Sequence, residues 1–219
     1  MRAAWLALAA WALAGHAQAS AADPVIQVDY ANPGLSPAQW TITLHRDGTG
    51  HFRSQVGKPS GAAAQQRIDT PAVDRDFQVS SGFVTRVFGV AEHHSWFNQQ
   101  CESHMKVAFQ GWKTFTYTGP EGRGACTFNY SKDKEIEELG ESMEGVAETI
   151  LEGARLEVLL QHDRLGLDAE MEFLTDAAAD GRAQQICAIR DILERLAQDD
   201  EVLERVRKRA KALLEHAAT

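Results

Sequence analysis

Apolar and polar positions alternate most regularly between Lys106 and Ser131. Val107 and Phe109, then Phe115 and Tyr117, then Phe128 and Tyr130 are each two residues apart, with small or polar residues between them. That is the period of a half-buried strand. Gly111 interrupts the first two runs and a glycine-rich turn, Gly119 to Gly124, the last two, so the stretch predicts a three-strand antiparallel meander. Upstream, Trp40–His45 and His51–Ser54 flank Asp47-Gly48, a tight-turn signal that predicts a hairpin. With Asp47 to Thr49 as its loop, Leu44 falls opposite Phe52 and His45 opposite His51. Trp40, Ile42, Leu44 and Phe52 then share one face, as burial of a single face requires. Gln27–Tyr30 predicts a short edge strand and Asp76–Val79 another strand. The Gly-, Ser- and Ala-rich Gln55–Pro71 predicts a connection without regular structure.

Elsewhere the period changes to that of a helix. Phe83, Val84, Val87, Phe88 and Ala91 give a wide apolar face behind a Ser80 or Ser81 cap, a helix expected to run to about Glu92 and to lie across the sheet. After Ser131, Ile136, Leu139, Met143, Val146 and Ile150 form a narrow apolar seam. Glu137, Glu141, Glu144, Glu148 and Glu152 make an acidic stripe on another face of the same helix. Gly140 and Gly145 weaken that helix by up to ~1 kcal/mol each relative to alanine, and Gly153 marks a bend. Three more helices are expected: one capped by Asp168 and ended by Gly181, one carrying Ile186, Ile189, Leu193 and Leu196, and one from Asp199-Asp200 through Leu214.

Strands with one inserted helix, followed by a run of helices, define an α+β fold. Its sheet is largely antiparallel, a hairpin plus a three-strand meander, covered on one side. The expected division is residues 1–19 as a signal peptide, 20–131 as the sheet domain and 132–219 as a helical C-terminal extension. The leader reading rests on Arg2, the apolar run Ala3 to Gly15 and the small-x-small pattern Ala17-Gln18-Ala19. The run is shorter than the ~20 residues a membrane span needs. Cleavage near Ala19 places the mature chain in the periplasm or outside the cell, with no transmembrane segment.

Charge sharpens this picture. The chain carries a formal charge of −9, and removal of residues 1–19, which contain Arg2 and no acid, makes it −10. Residues 20–130 hold nine acids and nine bases, while residues 131–219 hold 22 acids and 12 bases. Such a distribution argues against nucleic acid, which needs a basic face. In an oxidising compartment Cys101 and Cys126 are expected to bridge, stapling the start of the meander to its last strand and closing a loop worth about 3 kcal/mol. Cys187, in a helical pattern, reads as a buried small hydrophobe.

Histidine is the chief candidate for chemistry. On the register above, His45 and His51 stand about 5 Å apart, close enough to share a divalent metal, and His93, His94 and His104 form a second group. No His-Glu-x-x-His, Gly-x-Ser-x-Gly or complete phosphate loop accompanies them. The acidic stripe (Glu137, Glu141, Glu144, Glu148) and the basic segment containing Arg205, Arg207, Lys208 and Arg209 are candidate partner-binding residues, expected above all to pair within the chain by packing the last helix on the first of the tail. The chain therefore reads as an exported, non-catalytic binding domain without a cofactor, whose partner is a protein or envelope component. The alternative is a metal-dependent hydrolase using the histidine cluster.

Overall fold

The computed structural model describes residues 23–56 and 72–217. The expected leader and most of the Gln55–Pro71 connection lie outside the described residues. Six strands form one antiparallel sheet: β1 (Val25–Ala31), β2 (Gln39–His45), β3 (Thr49–Gln55), β4 (Asp74–Gln78), β5 (Trp112–Gly119) and β6 (Gly122–Phe128), in the order β4-β3-β2-β1-β5-β6. Alternation along the strands buries Ile26, Val28, Trp40, Ile42, Leu44, Phe52, Phe115, Tyr117 and Phe128 on one face.

Three expectations are corrected. First, the hairpin register is Ile42 opposite Phe52 and Thr43 opposite His51, because Asp47 Oδ1 accepts from the Thr49 amide at 2.9 Å and its hydroxyl at 2.6 Å. The turn closes before Thr49, which joins the strand. The displacement is two residues, so the buried set keeps its face. Second, β1 is not an edge. It pairs with β2 on one side and β5 on the other, and its Val28 is fully buried. Third, the meander has two strands, not three. With β1 and β6 on its two sides, β5 has no free edge, and residues 106–110 run outside the sheet.

Helix α1 (Ser81–His93) starts at Ser80, whose hydroxyl accepts from the Phe83 amide at 3.3 Å. It buries Phe83, Val84, Val87, Phe88 and Ala91, the face read from the sequence. Helix α2 (Lys134–His162) starts at Asp133, which accepts from the Glu135 and Ile136 amides. It runs as one 29-residue helix through Gly153, where a bend was expected. A Cβ there would collide with the Ile189 side chain, so the glycine is a packing notch. Helices α3 (Leu167–Ala179), α4 (Arg190–Gln198) and α5 (Glu204–His216) complete the chain.

Two apolar clusters result. The sheet, α1 and the Ile136–Ala154 part of α2 share the first; Leu156, Leu159 and Leu160 of α2 join α3, α4 and α5 in the second. Phe115 packs between Phe97, tilted against it at 5.2 Å, and Phe128, stacked on it at 5.8 Å, each ring contributing roughly 1.5–3 kcal/mol by burial. The Cys101–Cys126 disulfide is formed, with Cα atoms 5.6 Å apart. Cys187 is a half-buried free thiol whose pKa burial pushes up. No helix among the described residues is long and apolar enough to cross a membrane.

Candidate functional site

The histidines separate into distinct surroundings. His51 lies across from β4, with Nε2 3.2 Å from Asp74 and Nδ1 2.8 Å from Asp76, and Thr43 rather than His45 occupies the position opposite it. His104 bonds Gln100 at 2.6 Å. Neither offers a ring nitrogen to a set of three ligand atoms close enough together to hold one ion among the described residues, the two aspartates of His51 lying on opposite ring nitrogens.

His93 and His94 do belong to such a group, completed by Glu135 from the first turn of α2. His93 Nδ1 stands 2.7 Å and His94 Nε2 2.9 Å from Glu135 Oε2. Hydrogen bonding to His93 and then His94 holds the Glu135 carboxyl below the usual glutamate range. His94 is nearly buried, its side chain 9 % exposed, with Asp133 Oδ2 3.4 Å from its Nδ1. Glu135 was missed from the sequence because it lies 42 residues beyond His93. The local signal available was an acidic first turn behind an Asp cap, and only the topology sets that turn against the end of α1.

An unusual backbone follows the histidine pair. Ser95, Trp96 and Phe97 have φ of 53°, 58° and 64°, three consecutive left-handed non-glycine residues. Each such residue costs about 1–2 kcal/mol. The turn is held by Trp96 stacked on Tyr117 at 4.4 Å, by buried Phe97 and by Gly124, where a Cβ would come within 2.7 Å of the Asn98 nitrogen.

The segment after the disulfide forms a second feature. Met105, Val107, Phe109 and Trp112 expose 51, 37, 49 and 46 % of their surface, although alternation predicted Val107 and Phe109 to be half-buried in a strand. Polar bonds fix the backbone beneath them. The Ser103 amide donates to Tyr130 O at 2.9 Å, Tyr30 Oη to Gln110 O at 2.7 Å, and the Gln110 amide to Asn129 Oδ1 at 2.7 Å. Glu102 Oε2 accepts from the Asn129 amide at 2.6 Å. Burial opposes ionisation of Glu102, but amides of Asn129, His104 and Tyr130 hold its carboxyl below the usual range.

Beside this ridge lies a groove of about 660 Å³, lined by Leu35, Tyr30, Trp40 and Gln110 on one side and by Glu141, Glu144 and Glu148 of α2 on the other. Glu144 pairs with buried Lys113 at 2.8 Å. Glu141 and Glu148 make no ion pair among the described residues. Glu137 accepts from the Ser131 amide at 2.7 Å. The basic segment does not reach this stripe. Arg205 and Arg209 pair with Asp168 at 2.6 and 2.7 Å, Arg207 with Asp200 at 2.7 Å and Lys208 with Glu204 at 2.8 Å. Arg205 is the main cause of the lowered Asp168 pKa. The last helix thus packs on α3 and α4, and the expected pairing of stripe and basic segment is corrected.

No protein-family model matches this chain, and no curated protein does so either.

Proposed function

We propose that this is an exported, non-catalytic binding domain whose binding face is the 105–112 ridge together with the adjoining acidic groove. The observation that carries the reading is the exposure of four large apolar side chains within eight residues, on a backbone fixed by hydrogen bonds to Tyr30, Asn129 and Tyr130. A contiguous exposed apolar patch marks an interaction surface, and a pre-ordered one loses less entropy on binding. Phe109 and Trp112 meet edge to face at 6.1 Å, presenting an aromatic pair. The groove adds charge selection: Arg182 is paired with Asp180, and Arg155 with Glu152, so Glu141 and Glu148 leave the wall acidic. The partner that fits is a protein segment with apolar anchors and lysine or arginine beside them. Export is favoured by the disulfide, which an oxidising compartment sustains.

The test is a photo-reactive amino acid at position 109 in cells making the full chain, with the same group at position 208 as control. A discrete adduct from position 109, lost when Val107→Ser and Trp112→Ser are added, is the expected result. Absence of an adduct, or the same adduct from position 208, overturns the reading.

A further inference from the structure

Where α1 ends and α2 begins, on residues other than those of the ridge and groove, three donor side chains converge without a cysteine or a sequence motif to announce them. We propose that His93, His94 and Glu135 form a binding site for a single divalent cation of the zinc class, with at least one coordination position open to an exogenous ligand. The proposal is independent of the binding face described above.

The donor set is two imidazole nitrogens and one carboxylate oxygen, a combination suited to zinc and its neighbours and unsuited to calcium or magnesium, which prefer all-oxygen shells. One ring nitrogen of His93, one of His94 and a Glu135 oxygen lie within 4.8 Å of one another. A tetrahedral zinc with bonds of about 2.0–2.1 Å holds its ligands about 3.3 Å apart. The two histidine–Glu135 separations of 2.7 and 2.9 Å reach that spacing by opening roughly half an ångström. Three protein ligands with a free fourth position is the arrangement of zinc sites that take up an outside ligand. His93 and Glu135 both line a groove of about 370 Å³ that also holds Thr85 and Arg86, so there is room for one.

A supporting shell is present as well. A histidine that binds metal through one ring nitrogen ordinarily donates the other to a carboxylate or amide. His94 presents Nε2 to Glu135, while Asp133 Oδ2 lies 3.4 Å and the Gln99 amide 3.1 Å from its Nδ1. The Gln99 amide can turn either end toward the ring. The left-handed turn at Ser95–Phe97 carries the chain away directly after His94 and brings Gln99 back against it. A merely structural clamp between the two helices explains the His93–Glu135 bond. It does not account for an oriented, nearly buried second imidazole aimed at the same oxygen.

The experiment is calorimetric titration of the purified, chelator-stripped chain with Zn²⁺, repeated with Co²⁺, whose visible absorption reports four-coordinate geometry. One equivalent is expected to bind. Glu135→Gln and His93→Ala, both changes at exposed side chains, are expected to weaken binding by more than about 100-fold. Asp133→Asn is the discriminating variant. Asparagine caps a helix as well as aspartate does, so the unfolding midpoint of the metal-free chain should hold while zinc affinity drops roughly 10–100-fold. The proposal is overturned if no single equivalent binds, or if zinc binds equally well to wild type, Glu135→Gln and His93→Ala, which would assign the metal to other histidines.

Discussion

Glu152 has no exposed surface, sits one helical turn from Arg155 and faces Glu170 of α3. Burial, then the hydrogen bond with Glu170, pushes its pKa up to about 9, against the pull of Arg155. Two carboxyl groups around one guanidinium do best with a shared proton. The folded chain keeps that proton where the unfolded chain, with an ordinary glutamate pKa near 4.5, has released it. A group with a raised folded pKa contributes stability fully below the unfolded value and loses it as pH climbs toward the folded one. Stability should therefore decline between pH 5 and pH 8, by roughly 1–4 kcal/mol more than in Glu152→Gln, which cannot ionise. Urea unfolding of both chains at three pH values checks this, and parallel pH profiles would contradict it.

At the scale of the element, α2 shows what a sequence does and does not disclose. Its apolar seam follows from local periodicity, and the structure buries Ile136, Leu139, Met143, Val146 and Ile150 as that pattern requires. Gly153 carries no such local meaning. Propensity alone reads it as a weak point, and its reason lies in Ile189, which presses into the notch. The two scales give opposite signs for Gly153→Ala: a gain of up to ~1 kcal/mol from propensity and a loss of about 1–3 kcal/mol from overpacking. Since the neighbour is a branched core side chain, not a flexible surface one, net destabilisation is expected, visible as a lower urea midpoint. The same limit explains β1 and residues 106–110. Val107 and Phe109 carry strand periodicity as plainly as Phe115 and Tyr117 do, yet which run pairs beside β5 is decided by a strand some eighty residues earlier. Likewise the two histidines of the candidate cation site are local neighbours and readable, whereas Glu135 is supplied by the packing of one helix end on another.

At the scale of the molecule, the Cys101–Cys126 bridge ties both candidate sites to the sheet. The segment from His94 to Gly111 contains the left-handed turn, Cys101 of the bridge and all of the exposed ridge but Trp112, and it has no strand pairing of its own. It is held by Trp96 and Phe97 on one side of the bridge and by the Glu102, Asn129 and Tyr30 bonds on the other. Oxidation and the two proposed sites are thus linked, because thiols kept reduced would loosen the frame of both together. On the proposed export, the mature chain is expected to lack residues 1–19 and to weigh two hydrogens less than its thiol form. Residues 20–219 made in a reducing cytoplasm, or the Cys101→Ser, Cys126→Ser chain, should be less stable by about 3 kcal/mol, with faster amide exchange across residues 95–110 than across α3–α5. Intact mass with and without alkylation settles the first point, and urea midpoints with exchange the second. A reduced chain as stable as the oxidised one, with unchanged exchange in that segment, would mean that the turn and the ridge are held by packing alone.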